Sequence, residues 1–123
     1  MNKRSELGKA GEEIVAKKLE QNGFAILHKN YAKQYGEIDL IASKGDLLVF
    51  VEVKMRQNSR GFDLEYLITP SKQKKIILVA KEYMAKYDVC DKVCRFDVAL
   101  IEGTENNYKL KYIPDAFYEP EGY

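Results

Sequence analysis

Apolar residues in the first part of the chain recur at helical spacing. At about 100° per residue, Leu7, Ala10, Ile14, Val15 and Leu19 share one arc, and charged residues fill the rest. Ser5 can cap this helix, which runs to about Asn22 and stops at Gly23. The period then changes. Residues 24–27 form a short apolar run that predicts a strand, and the polar stretch HKNYAKQY that follows reads as a loop. Residues 36–42 and 47–56 read as two strands joined by a turn at SKGD. The segment QNSRGFDLEYLIT mixes turn and apolar signals and predicts no element. Thr69-Pro70 opens a second helix, with proline at its first position, that continues through KKIILVAKEYMAKY. RFDVALI is a further strand, and residues 108–113 form the last one after a turn at GTENN. The predicted order is α, β, β, β, α, β, β. This is an α/β arrangement with an antiparallel hairpin and a parallel crossover around the second helix.

The hairpin interrupts its own pattern. Alternation puts Ile38, Leu40 and Ala42 on one face of the first strand and Glu37, Asp39 and Ile41 on the other. On the second strand Leu47, Val49, Val51, Val53 and Met55 alternate with Leu48, Phe50, Glu52, Lys54 and Arg56. Residues directly opposed in an antiparallel pair point the same way, so the two apolar faces must coincide. A two-residue turn at Gly45-Asp46 then sets Asp39 opposite Glu52. A turn centred one residue earlier sets Asp39 opposite Phe50, diagonal to Glu52. Either register gathers Asp39, Glu52 and Lys54 on a face that also carries Ile41, Leu48 and Phe50. Neighbouring carboxylates on a half-covered face need a cation, a shared proton or water.

Composition narrows the partners. The chain has 123 residues, enough for one domain with one core, and 20 basic residues against 19 acidic ones. With a net charge of +1, any DNA partner must meet positive charge collected on one face. Two cysteines, Cys90 and Cys94, and the lone His28 fall short of a structural zinc set. His28 reads as a loop or strand-edge residue, and the nine tyrosines as amphipathic edges of a small core. No secretory signal, membrane span or nucleotide-binding fingerprint is visible in these residues, and none is expected. The expectation is a cytoplasmic protein without a nucleotide cofactor.

Asp39 followed by Glu52-Val53-Lys54 resembles the PD-(D/E)xK nuclease signature, with Ile38-Asp39 where that pattern has Pro-Asp. GEIDLIA, VFVEVKMR, GKAGEEIVAKKLEQNGFAIL, PSKQKKI and RFDV together resemble the YraN family of uncharacterised bacterial proteins, which is similar to archaeal Holliday junction resolvases. The resemblance spans roughly residues 5–118 and leaves the end of DAFYEPEGY as a frayed tail. It implies a restriction-endonuclease-like core, a mixed sheet flanked by helices, and less directly a metal-dependent endonuclease acting on DNA, including branched DNA. Symmetric cutting of a junction would imply a two-fold dimer. The rival expectations are a non-catalytic DNA-binding module of the same fold and a protein-interaction adaptor.

The resemblance implies roles for particular residues. Asp39 and Glu52 would hold Mg²⁺ or Mn²⁺, with the Val53 carbonyl as a further oxygen. An acidic residue from the first helix would join them. Glu12 lies about 100° from the centre of the apolar arc and Glu13 about 160°, so Glu12 is the one able to reach the sheet. Lys54 would orient or deprotonate the attacking water. Glu37 remains a supporting or solvated residue. DNA contacts are expected from Arg56, Arg60, Lys72, Gln73, Lys74 and Lys75, with Lys72 and Gln73 foremost. Lysines in the first turns of a helix oppose its dipole, and a bound phosphate would explain them. Arg95 and Asp97 read as a structural pair beside the site.

Overall fold

The computed structural model describes residues 3–57 and 68–119, with side chains from residue 8 onward. The elements are α1 (Lys3–Gln21), β1 (Ala25–Lys33), β2 (Gly36–Lys44), β3 (Leu47–Arg56), α2 (Pro70–Lys86), β4 (Val93–Thr104) and β5 (Asn107–Phe117). The five strands form one sheet in the order β1-β2-β3-β4-β5. Three neighbours pair antiparallel, and β3 pairs parallel to β4 across the crossover that contains α2. Helix α1 packs on one face through Val15, Ala16 and Leu19 against Leu40, Ala42, Val49, Val51, Ala99 and Ile101. Helix α2 packs on the other through Ile76, Ile77, Val79, Ala80 and Tyr83 against Ile41, Leu48, Phe50, Val98 and Leu100. This three-layer α/β arrangement is consistent with the restriction-endonuclease-like core. Among the described residues no helix is long and apolar enough to cross a membrane.

Local chemistry sets the helix ends. At the end of α1, Phe24 N–H donates to the Leu19 carbonyl and Gly23 N–H to the Glu20 carbonyl, both at 3.0 Å. Gly23 takes φ 89°, the left-handed conformation that this double closure requires. At the start of α2, Lys72 N–H donates to Thr69 Oγ1 at 3.2 Å, and Pro70 follows the cap. Ser5 is not the cap of α1, because the helix already includes Lys3. The strong helix formers around it carry the helix past that position.

The hairpin of β2 and β3 closes on Gly45-Asp46. Lys44 pairs with Leu47 and Leu40 with Val51, the first of the two expected registers. The expected loop after residue 27 is instead a continuation of β1 to Lys33, with a bulge between Ile26 and His28. Its polar residues fit an edge strand, which is half exposed along its length. What sequence periodicity missed is an aromatic contact: the rings of His28 and Tyr31 stand edge-on to Tyr83 of α2, with centroids 5.2 Å away in each case. Ile38 departs from its expected face and packs in the α2-side cluster, apart from Leu40 and Ala42. The β2–β3 ladder stops at Leu40, and β2 before that point follows β1 instead.

The last strand runs further than expected, to Phe117, which stacks on Phe96 at 5.1 Å. Residues 120–123 of the expected frayed tail lie outside the described residues. Cys90 and Cys94 are free thiols on exposed residues.

Candidate functional site

The site forms where the β2–β3 ladder ends. Past Leu40, the Asp39 carboxylate takes over as acceptor, and Val53 N–H donates to Asp39 Oδ2 at 2.8 Å. That bond ties Asp39 beside Glu52. Glu52 sits on β3, the middle strand of the sheet, and is only 6% exposed. Lys54, two residues on and on the same face, brings Nζ to 3.9 Å from Glu52 Oε1. From the opposite layer Lys72 comes closer, with Nζ 3.1 Å from the same oxygen.

A cavity of about 590 Å³ opens over these groups, and Glu12, Glu37 and Lys75 also line it. Glu12 arrives because α1 lies close on the sheet at Gly11. A Cβ there would stand 3.2 Å from Met55 Cβ and 3.3 Å from Val53 Cγ1, tighter than ordinary contact. Glu13 points elsewhere and pairs with Lys29 at 2.6 Å on the surface.

Charge is crowded in this cavity. Burial first, and then the Glu52 charge, push Asp39 up to about 7 despite the bond from Val53 N–H. The Glu52 side chain, as a hydrogen-bonding neighbour, acts on Asp39 in the same upward direction. Burial raises Glu12 as well, and the charges of Asp39 and Glu37 add to it, while a hydrogen bond with Asn30 acts the other way. Burial and the neighbouring Lys72 hold Lys54 below the ordinary lysine value. For Lys72 burial acts downward, but its bond to Lys54 and its attraction to Glu52 and Asp39 prevail and raise it. The charged form is therefore disfavoured at Lys54 and favoured at Lys72.

The residues expected to meet DNA separate. Lys75 and Lys72 line the cavity. Gln73 donates its side-chain amide to the Ile68 carbonyl at 3.1 Å and so braces the start of α2. Arg56 is exposed at the end of β3, and Arg60 lies outside the described residues. Arg95 and Asp97 form the expected pair, but not beside the site. Asp97 pairs with Val51 in the β3–β4 register and so shares the α1 side of the sheet. There it is fully buried and accepts from Arg95 Nε at 2.8 Å, Arg95 Nη2 at 2.9 Å, Tyr112 Oη at 2.5 Å and Asp115 N–H at 2.9 Å. The ladder irregularity between Phe96 and Val98 gives it this structural task.

Two participants escaped the sequence reading. Asn30 meets Glu12 from a left-handed position at φ 54° on β1, in the stretch expected to be a loop. The only signal was an asparagine, a residue that tolerates that conformation. Lys72 was expected to face phosphate, and its ion pair with Glu52 had no sequence signal beyond an unfavourable charge at a helix start.

Among the described residues, no three His, Cys, Asp or Glu side chains converge tightly enough to hold a metal by themselves. The donor set nevertheless fits a hard divalent cation. Mg²⁺ is commonly held by one or two carboxylates and keeps several waters. Asp39 and Glu52 supply two oxygen donors whose mutual repulsion a cation would relieve, and the cavity has room for water.

Comparison with known proteins bears on the whole chain. The model of the uncharacterised protein family UPF0102 matches residues 11–101. A UPF0102 protein of Bacteroides thetaiotaomicron is 37% identical over 120 residues, covering 98% of each chain. One of Nitrosomonas eutropha is 40% identical over 119 residues, covering 97% of this chain and 99% of its own. One of Hahella chejuensis is 38% identical over 115 residues, covering 94% and 92%. The chain belongs to the uncharacterised protein family UPF0102, the family that its motifs resemble under the name YraN.

Proposed function

We propose that this protein is a metal-dependent endonuclease that hydrolyses DNA phosphodiester bonds, with branched DNA among its substrates. The observation that carries the reading is the convergence of Asp39, Glu52, Lys54 and Glu12, from two strands and a helix, on one cavity. Asp39 and Glu52 would hold Mg²⁺ or Mn²⁺, with Glu12 acting through water. Such an ion supplies charge relief at the phosphate and a more acidic bound water.

The chain's own groups do the rest. Lys54, with its ammonium form disfavoured, can take a proton from the attacking water and return as a cation beside the developing negative charge. Lys75 lines the cavity mouth with positive charge that favours phosphate entry. Val53 N–H holds the Asp39 carboxylate in place. The burial of Glu52 places the site in a medium where electrostatic effects are large.

The test is a cleavage assay with Mg²⁺ or Mn²⁺ on duplex, single-stranded, flap and four-way-junction DNA. Glu52→Ala and Lys54→Ala run beside the wild type. Cleavage by the wild type that disappears in both variants supports the proposal. A second reading draws on the Lys72–Glu52 ion pair, which already neutralises the carboxylate: a DNA-binding module of nuclease fold. That reading predicts salt-sensitive binding to the same panel with no cutting by the wild type.

A further inference from the structure

Lys72 stands where helix physics gives it no reason to be. It is the third residue of α2, and that first turn contains no acidic residue. A positive charge there faces the positive end of the helix dipole. Its backbone is nevertheless firmly mounted. Lys72 N–H donates to Thr69 Oγ1 at 3.2 Å, Gln73 N–H to the Thr69 carbonyl at 2.9 Å, and the Gln73 side chain to the Ile68 carbonyl at 3.1 Å. From this mount the flexible lysine stem carries an ammonium to 3.1 Å from Glu52 Oε1, closer than Lys54 at 3.9 Å. What offsets the dipole is therefore Glu52. The same oxygen is one that a divalent cation would need, and two cations cannot both sit against it at low cost. The Lys72 side chain is 37% exposed, so its stem has open space to move into without disturbing the helix.

We infer that Lys72 is a resident counter-ion of the Asp39–Glu52 pair, one that a divalent cation must displace in order to bind. The inference rests on the cation-binding reading of the site and adds a gate to it. Lys72 stabilises the carboxylates before the ion arrives, sets a threshold on its affinity, and on release is left at the cavity for the phosphate.

The experiment is calorimetric titration of Mn²⁺ into the wild type, Lys72→Met and Lys75→Met at pH 8. Thermal unfolding of the same proteins is followed in EDTA and in Mn²⁺. Lys72→Met keeps the apolar stem and removes the competing charge; it should bind Mn²⁺ about tenfold more tightly than the wild type. It should also unfold earlier in EDTA and regain more of its midpoint with Mn²⁺ than the wild type does. Lys75→Met removes an equal charge from the same cavity and should stay within about twofold of the wild type. Unchanged or weaker binding by Lys72→Met overturns the gate and leaves the cation site standing. Equal tightening in Lys75→Met overturns it too, because the cause would then be the general field. If neither the wild type nor Lys72→Met binds Mn²⁺, the cation-binding reading fails and the gate with it. Lys72→Gln serves as the second variant if the methionine protein does not fold.

Discussion

Replacing Asp39 by asparagine should make the protein more stable at pH 8 while removing its response to divalent cations. The folded state holds the Asp39 proton far more tightly than an unfolded chain does, with the value raised from 3.8 to about 7 by burial and by Glu52. The sign follows directly. Below pH 4 both states are protonated and the carboxyl costs nothing. Between about pH 4 and 7 the unfolded chain gives up the proton and the folded one keeps it, so folding stability falls as pH rises. Above pH 7 the full cost is present. The rise corresponds to about 4 kcal/mol as a ceiling, and water in the open cavity screens it to an expected cost of about 2 kcal/mol. Asparagine escapes this cost and still offers an oxygen to Val53 N–H, which Asp39 Oδ2 now receives at 2.8 Å. Urea unfolding followed by circular dichroism, in EDTA from pH 4 to pH 8, measures the difference directly. The variant should match the wild type near pH 4 and exceed it by about 2 kcal/mol at pH 8. Adding Mn²⁺ at pH 8 should then stabilise the wild type and not the variant. A variant that is less stable at pH 8, or a difference that does not change with pH, would refute the claim that burial holds this carboxyl protonated.

Other expectations follow from the same structure. Mn²⁺ affinity of the wild type should climb with pH up to about 7, where Asp39 ionises, and level off above; calorimetry at a series of pH values shows the break. Glu12→Gln should cut cleavage by about 10- to 100-fold, whereas Glu13→Gln should leave it near the wild-type rate, since Glu13 pairs with Lys29 on the surface. Asp97→Ala should cost about 3–5 kcal/mol in urea unfolding, because it strands Arg95, Tyr112 Oη and the Asp115 N–H in the interior. A loss under about 1 kcal/mol would mean that water replaces the carboxylate there.

The order and type of all seven elements were legible in the chain, and the hairpin was narrowed to two registers, of which the structure adopts the one closing on Gly45-Asp46. These are local properties. Period, capping at Thr69 and the turn at Gly45-Asp46 are written in adjacent residues, and the apolar faces of β2 and β3 admit few alignments. Alternation also brought Asp39, Glu52 and Lys54 to one face without any tertiary information. Local patterns failed where an element takes its stability from a distant partner. The stretch HKNYAK is polar and reads as a loop, yet β1 pairs along β2 to Lys33 while His28 and Tyr31 turn toward Tyr83.

What the sequence determined by itself, then, is an α/β chain whose central hairpin carries an acidic pair and a lysine on one strand face. Tertiary structure alone decided what surrounds that pair. It took the crossing of α2 over the sheet to bring Lys72 to Glu52, the close seating of α1 at Gly11 to bring Glu12 over the cavity, and the bulged edge strand to bring Asn30 to Glu12. It also sent Asp97 to the opposite face to satisfy the irregular β4–β5 ladder. The physical reason is range. Side-chain alternation is set residue by residue along a strand, but an ion pair across layers depends on where two independently formed elements pack, and that is settled only when the whole core closes.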